Sequence, residues 1–523
     1  MTSDKPISFG SLEFNLSSTM EGTPARASED TPFRLLVMGD FSGRAGRGAN
    51  RSAAALADLR PIKVDRDTIE ALPAKLGAAL SLTLAEGDAP FDIRFEELED
   101  FHPDSLFDRL SIFQKLRQVR RELQSSATFK SAAAEVRSWL QEDAPLEKEK
   151  TPQPASPAPT VSAASGSLLD MIMEETAGVS QAPGKGAAVG DTGLEQFLKM
   201  IVTPHLVAAD NPQEEALVAA VDSMIAALMR AILHHADFQA LEATWRGVHF
   251  LCSRLETDEQ LQVLLLDLNK EELASDLLSA SDLCKTGMYR VLVEKTVETL
   301  GGHPWSVILG DYSFDGSSDD AELLGRLAMI CARAGAPFLA GASARLVGCD
   351  SLDATPDPHD WQLALSEKDQ RAWAVLRALP EASYIGLALP RLLLRLPYGD
   401  ATDAIDRFFF EEMGEQPAHS SYLWGNPVFA CGCLIGQAFS RNGWQFQLGE
   451  ILDVNGLSLH MYKENGEVKI KPCAEVLMTQ KAAEQILDQG LMPLLSFKEQ
   501  DKVRLARFQS IADPLTRLSG PWR

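Results

Sequence analysis

The apolar positions of this chain follow two periods, and the change from one to the other marks its elements. Residues 32–41, PFRLLVMGDF, hold an apolar run that ends in Gly-Asp, the pattern of a buried strand entering a turn. In residues 91–95, Phe91, Ile93 and Phe95 alternate with Asp92 and Arg94, which predicts a half-buried strand. Residues 7–16 predict another: Ile7 and Phe9 share one parity and Leu12, Phe14 and Leu16 the other, so a bulge is expected at Gly10-Ser11. After Pro103 and Asp104 the period becomes helical, with Leu106, Leu110, Phe113, Leu116 and Leu123 on one stripe.

Past residue 213 the elements lengthen. Residues 214–235 form one helical pattern, and a second helix is expected to start at Asp237, a good N-cap residue. The runs VLLLDL (263–268), WSVILGDY (305–312) and APFLAGA (336–342) read as buried strands, and residues 321–335 as a helix between two of them. Strands alternating with helices predict an α/β (mixed α+β) fold around a buried sheet. No internal repeat with a period of roughly 20 to 50 residues is visible.

Between these regions the pattern stops. Residues 141–193 are poor in aromatics and rich in Pro, Ala, Ser, Glu and Gly, with TPQPASPAPT at their centre. Such a stretch cannot bury enough to fold and reads as a semi-extended linker. The expected organisation is a small domain at 1–140, the linker at 141–193 and a larger α/β domain at 194–523. Residues 167–177 interrupt the linker. Ser167 and Asp170 form a capping-box-like start, Leu168, Leu169, Ile172 and Met173 gather on one face with Thr176, and Gly178 provides a stop. An amphipathic turn in a linker suits docking into a partner's groove, and residues 7–16 could likewise add a strand to a neighbouring sheet or serve as an edge of their own.

Charge and composition narrow the classes. The 523 residues suffice for roughly two to four domains, and 45% hydrophobic with 24% charged residues is ordinary globular composition. A net charge of −25 disfavours non-specific binding to nucleic acid or anionic membrane. The basic stretch Lys115 to Arg121 reads as a solvated helix face. The seven cysteines are scattered and form no CxxC pair, which fits a reduced, cytoplasmic chain. Neither a signal peptide nor an uninterrupted apolar stretch of membrane-spanning length is apparent, so no membrane insertion is expected.

Reactive chemistry is hard to find. Residues 43–48, GRAGRG, follow a strand and supply glycines. They lack the GxGxxG spacing and any following Lys-Ser or Lys-Thr, so a surface loop is preferred over a nucleotide-dependent enzyme. His234 and His235 point about 100° apart on a helix and His249 has no acidic partner in register, so no metal site is assigned. Glu411-Glu412 reads as a solvated element end. No catalytic residue and no cofactor are assigned. Arginines and aromatics instead crowd residues 244–247, 390–399 and 422–427, where arginine suits buried or interfacial carboxylates and Trp and Tyr suit interfaces.

Those segments resemble a known family. LHHADFQALEATWRGVHFL (233–251), VILGDYSF (307–314), YIGLALPRLLLRLPYG (384–399), SYLWGNPVFA (421–430) and IKPCAEVLMT (470–479) are similar to the large sheath subunit of the type VI secretion system. PFRLLVMGDFSGR (32–44), RPIKVDRDTIE (60–70) and IRFEELEDFHPDSL (93–106) resemble the small one. The resemblance implies a fused pair of non-enzymatic subunits that polymerise with sheath subunits around an inner-tube protein. It also implies recycling by an AAA+ unfoldase, with Leu168, Leu169, Ile172 and Met173 as its binding helix, and strand exchange through Ile7, Phe9, Leu12, Phe14 and Leu16. Large subunits of the family continue well past the segment matching 508–510. This shorter C-terminus leaves a non-polymerising cap, baseplate adaptor or accessory scaffold as the alternative.

Overall fold

The apolar run after Pro32 forms β1 (Phe33–Gly39), whose Phe33, Leu35, Leu36, Val37 and Met38 are all fully buried. The structure is a computed structural model and describes residues 9–10, 31–84, 89–141, 214–414 and 416–522. The remaining strands from before the linker are β2 (Ile62–Val64), β3 (Ala79–Leu82) and β4 (Phe91–Arg94). Those after it are β5 (Leu261–Asp267), β6 (Val307–Phe314), β7 (Phe338–Ala342), β8 (Ile385–Leu389), β9 (Leu392–Leu393), β10 (Trp424–Gly425), β11 (Asp453–Val454), β12 (His460–Glu464), β13 (Glu467–Lys471), β14 (Met492–Ser496) and β15 (Val503–Leu505).

Nine of them make one mixed sheet in the order β11-β15-β14-β8-β7-β6-β1-β5-β2. From β14 through β5 all pairs are parallel, while β2 and the β15–β11 pair close the two edges antiparallel. Strand β1 stands between β5 and β6. It pairs with β5 along its whole length, Phe33 opposite Leu261 to Gly39 opposite Asp267, and with β6 from Leu35 opposite Val307 to Met38 opposite Gly310. A strand from before the linker thus fills the slot between two strands from after it. The division of the chain at 141–193 is not a division of the sheet.

The longer helices are α1 (Pro103–Arg109), α2 (Gln114–Leu123), α3 (Phe129–Gln141), α4 (Glu214–Leu233), α5 (Ala236–Arg254), α6 (Lys270–Ser279), α7 (Ser318–Ala334), α8 (Glu367–Arg377), α9 (Val428–Asn442) and α10 (Gln480–Asp488). One face of the sheet, through Leu36, Met38, Leu264, Leu266 and Ile308, joins a single core with Leu273 and Leu277 of α6, Leu324 and Leu327 of α7, Leu376 of α8 and Ile486 of α10. On the other face Phe33 stacks on Phe439 of α9 at 4.6 Å, and Gly432 leaves room for Leu309. Layers of helix on both faces explain why the parallel strands read as continuous apolar runs.

Two expectations are corrected. The stripe from Leu106 to Leu123 is not one helix. Leu110 is extended, with ψ 130°, and the turn Ser111–Phe113 separates α1 from α2. Helix α5 is capped by His235, whose Nδ1 accepts the Asp237 N–H at 3.2 Å, and Asp237 lies in the first turn.

The described residues form two compact units, one drawn from within 1–84, 90–114 and 225–523, the other from within 85–89 and 115–224. In the second, Leu116, Val119, Leu123, Val136, Leu217 and Val221 are buried, and Arg120 bonds Asp222 at 2.5 Å. Among the described residues one window, Ala216–Leu233, is long and apolar enough to cross a membrane, and half of it is buried.

Candidate functional site

The seam where the pre-linker segment enters the large sheet is the most elaborate polar constellation among the described residues. Strand β5 ends in Asp267, and the next residues build the start of α6 by a reciprocal cap. Asn269 accepts the Glu272 N–H at 2.7 Å, and Glu272 accepts the Asn269 N–H at 3.1 Å. Onto this frame the loop after β1 delivers Arg44. Its Nε and Nη2 donate to Glu272 at 3.1 and 2.9 Å, and its Nη1 donates to the Asp267 carboxylate and to the Ser42 hydroxyl. Arg51 adds a bond from Nη2 to Asp267 at 3.0 Å and its backbone N–H to Glu272 at 2.7 Å. Asn50 bonds Asn269 at 2.7 Å.

Arg44, Asp267 and Glu272 are all buried. Burial pushes the Glu272 carboxyl upward. The Arg44 guanidinium and the N–H groups of Arg51 and Asn269 outweigh that and hold it below the usual carboxylate range. Burial likewise opposes the Arg44 charge, and Glu272 and Asp267 overcome it, so its pKa is raised. Two anions, one buried cation and a half-buried second cation give a compensated cluster, the only arrangement in which such burial is tolerable.

Gly43 and Arg44 are buried, while Ala45, Gly46, Arg47 and Gly48 are exposed, as expected of a surface loop. Asp40 accepts the N–H groups of Arg44 (2.9 Å) and Ala45 (2.8 Å), and the N–H groups of Arg47, Gly48 and Ala49 bond carbonyls inside the loop. A phosphate cradle needs these amides open. Here a carboxylate occupies the position a phosphate would take, which argues against the nucleotide-dependent alternative. Gly43 has φ +68° and faces the Ala79 carbonyl so closely that a Cβ would collide with it.

Apolar contacts continue the seam. Trp245 of α5 is fully buried, donates its indole N–H to the Phe41 carbonyl at 3.0 Å and meets the Phe41 ring edge-on at 5.6 Å. Phe95 and Phe101 stack at 4.1 Å, and Phe238 of α5 meets both edge-on. Asp104 accepts the backbone N–H groups of Asp406 and Arg407 at 3.2 and 3.1 Å, beside a Phe107–Phe408 contact at 4.8 Å.

A second buried cluster lies within the post-linker part. Arg395 donates Nε to Glu242 at 2.8 Å and Nη1 to Glu412 at 2.7 Å, with its guanidinium over the Tyr398 ring at 4.2 Å. Arg246 bonds Glu242 at 2.7 Å and the Tyr398 hydroxyl at 2.9 Å. Glu412 also accepts the Tyr398 N–H at 2.8 Å, and His234 Nε2 lies 3.5 Å from it. Burial pushes Glu412 up, yet Arg395 and His234 bring it down to about 2. The arginine-rich segments 244–247 and 390–399 therefore serve buried carboxylates, as their composition suggested. Glu412 was missed. It is 2% exposed, not a solvated element end, while its neighbour Glu411 bonds the Asp400 N–H at 3.0 Å.

Of the strand-exchange candidates only Phe9 falls within the described residues. It lies against α7, its ring over Gly325, where any Cβ would collide with it. Ile7, Leu12, Phe14 and Leu16, and the linker-helix residues Leu168, Leu169, Ile172 and Met173, lie outside the described residues. His249 of α5 is exposed and stands apart from the pair His234 and His235. Six of the seven cysteines are buried and Cys284 is half-buried.

Comparison with known proteins separates the same two segments. Residues 215–512 match the tail sheath N-terminal domain of the VipB (EvpB) family. Residues 15–148 match the type VI secretion system VipA family. The type VI secretion system sheath protein TssC1 of Pseudomonas aeruginosa strain PAO1 is 35% identical over 306 residues, 57% of this chain. The chain spans 61% of that relative's length.

Proposed function

This chain belongs to the type VI secretion sheath family, with a VipA-like and a VipB-like segment fused in one polypeptide, and from that premise we propose that it is a structural subunit of a contractile sheath. The observation that carries this reading is β1 in the slot between β5 and β6. A sheath subunit transmits force through its fold, and a small segment built into the large segment's central sheet cannot shear away without breaking two parallel ladders. The chain's work then lies in surfaces that meet copies of itself or kindred subunits around an inner-tube protein, in the cytoplasm. No acid, base or nucleophile is assigned a catalytic task, and the proposed role is not enzymatic.

In the same reading Leu168, Leu169, Ile172 and Met173 offer an apolar helix face to an AAA+ unfoldase, and residues 7–16 contribute a strand to a neighbouring subunit. Fusion through the linker fixes one-to-one stoichiometry and raises the local concentration of the two segments.

Negative-stain electron microscopy of the purified full-length chain, alone and with the inner-tube protein, tests the proposal. Tubes or ring stacks are expected. Discrete monomers that bind neither tube nor sheath proteins would overturn it. Discrete particles that bind only a sheath end or a baseplate would move the chain to the cap or adaptor role.

A further inference from the structure

The carboxyl ends of β6, β7 and β8 surround a cavity of about 500 Å³ in which one carboxylate, Asp311, has no cation. Four buried carboxylates of the two clusters described above are answered by arginine. Asp267 and Glu272 have Arg44 and Arg51, and Glu242 and Glu412 have Arg395. Asp311 is held by two neutral groups, the Thr244 hydroxyl at 2.6 Å and the Asn426 side chain. Among the described residues no Lys, Arg or His pairs with it.

The charged residues at the rim are already committed. Arg391 bonds Glu475 through Nε at 2.9 Å and Nη2 at 2.6 Å. His419 stands 3.2 Å from Glu475 and 3.3 Å from Asp353. Asp350 faces Arg345 at 3.6 Å. The cleft therefore offers an uncompensated anion and no uncompensated cation. Small side chains line part of it, Ala240 and Ala243 of α5 and Gly341 and Ala342 of β7, and Leu389 and Trp424 add apolar surface beside polar groups such as Ser313 and Ser343. This shape fits a slender aliphatic stem with a positive end, and in open parallel sheets ligands bind outside the carboxyl ends of the strands.

The hydroxyl between these groups supplies a second sign. Thr244 Oγ1 lies 3.0 Å from the Ala240 carbonyl and 2.6 Å from Asp311, yet it has one proton to give. The helix already gives the Ala240 carbonyl the Thr244 backbone N–H, so the hydroxyl proton is available to Asp311, whose charge is then met by neutral donors alone. A cation at the carboxylate supplies the countercharge they lack.

We propose that the Asp311 cleft binds an ammonium or guanidinium group on an alkyl stem, supplied by a Lys or Arg side chain of another protein chain. The same chemistry is available from a free polyamine, and the test separates the two sources. Full-length chain is titrated calorimetrically with n-butylguanidinium, with the peptide Gly-Arg-Gly and with spermidine. Saturable one-to-one binding of n-butylguanidinium is expected, weakened at least about tenfold by Asp311→Asn, which keeps the shape and removes the charge. Ala243→Leu, which keeps the carboxylate and fills the cavity, is expected to weaken it to a similar degree. Tighter binding of the peptide than of spermidine identifies a protein side chain, and the reverse assigns the site to a free polyamine. No saturable binding to the unaltered chain, or equal affinity in both variants and the unaltered chain, would overturn the proposal. Should Asp311→Asn fail to fold, Ala243→Leu decides alone.

Discussion

Arg44 and Glu272, 228 residues apart in the chain, form a buried two-pronged ion pair, Nε to Oε1 at 3.1 Å and Nη2 to Oε2 at 2.9 Å. The pair ties the loop after β1 to the first turn of α6, and so ties the VipA-like segment to the VipB-like one. Removing the cation would leave Glu272, 1% exposed, and the neighbouring Asp267 with only the half-buried Arg51. Arg44→Leu is expected to destabilise the fold by about 3–5 kcal/mol. Arg44→Lys should recover only part of this, since one ammonium cannot span both carboxylates as the fork does. Urea unfolding followed by tryptophan fluorescence measures both, and a loss below about 1 kcal/mol for Arg44→Leu would show that the cluster is not structurally required.

Strand β1 leads to a stronger expectation. Without it β5 and β6 each lose a ladder, and the burial of Phe33, Leu35, Leu36, Val37 and Met38 is lost, at about 1.5–3 kcal/mol per side chain. Residues 194–523 expressed alone are expected to be insoluble and to become soluble when residues 1–140 are co-expressed. Val37→Asp in the full chain should reproduce the insolubility by placing a charge where exposure is 0%. A soluble, folded 194–523 fragment would refute the idea that the slot needs filling.

Helix α5 supplies a prediction whose sign runs against intrinsic propensity. In a free helix Gly→Ala stabilises by about 1 kcal/mol. At Gly247 an added Cβ would enter the ring of Phe429 on α9. Gly247→Ala should therefore destabilise, by about 1–3 kcal/mol as an overpacked core does, and Gly247→Ala with Phe429→Leu should recover part of the loss. Thermal unfolding of the single and double variants is the check.

How much of this was legible depended on whether the deciding contact was local. The run from Phe33 to Gly39 announced a strand buried on both faces, because helices cover both sides of the sheet, and the runs that became β5, β6 and β7 were readable for the same reason. Their order was not. Nothing in residues 32–41 says that β1 stands between β5 and β6, since strand order is settled by packing. Arg44 lay among glycines in an expected surface loop; the carboxylates its guanidinium pairs with are more than two hundred positions away. One local sign was present, an Asp closing a buried strand followed by Asn269 and Glu272 in capping-box spacing. Glu412 gave no such sign, because Arg395 and His234 reach it from separate elements. The break at Leu110 has no Pro or Gly to mark it.

Asp311 gives a pH-dependent prediction that does not require its ligand. Burial pushes its carboxyl up to about 6, with the Thr244 and Asn426 bonds opposing. An acid whose folded pKa exceeds its unfolded value of about 4 favours the fold fully below that lower value. The advantage is lost as pH rises through about 6. Asp311→Asn removes this titration. Relative to the unaltered chain, the variant should gain about 2 kcal/mol between pH 4.5 and pH 7.5. Paired denaturation curves at the two pH values measure the gain, and a pH-independent difference would show that Asp311 is ionised in the free protein throughout.

At the acid end the sign reverses. Burial would raise Glu412, but Arg395 and His234 hold it down to about 2, against an ordinary glutamate near 4.3. A carboxyl depressed in the fold contributes stability that is complete above its unfolded value, and that stability drains away as pH falls through about 2. Glu475, brought to about 2 by its His419 and Arg391 bonds against the opposing effect of burial, acts in the same window. Glu412→Gln should therefore cost about 3 kcal/mol at pH 7 and progressively less between pH 4.5 and pH 2. It also leaves Arg395 with Glu242 as its one carboxylate, so the loss at pH 7 should exceed that of Glu475→Gln, where the Arg391 side chain is about half exposed and screened by water. Acid unfolding of the two variants beside the unaltered chain decides the ranking; an equal loss in both would mean that burial of the Arg395 cluster adds nothing beyond a surface pair.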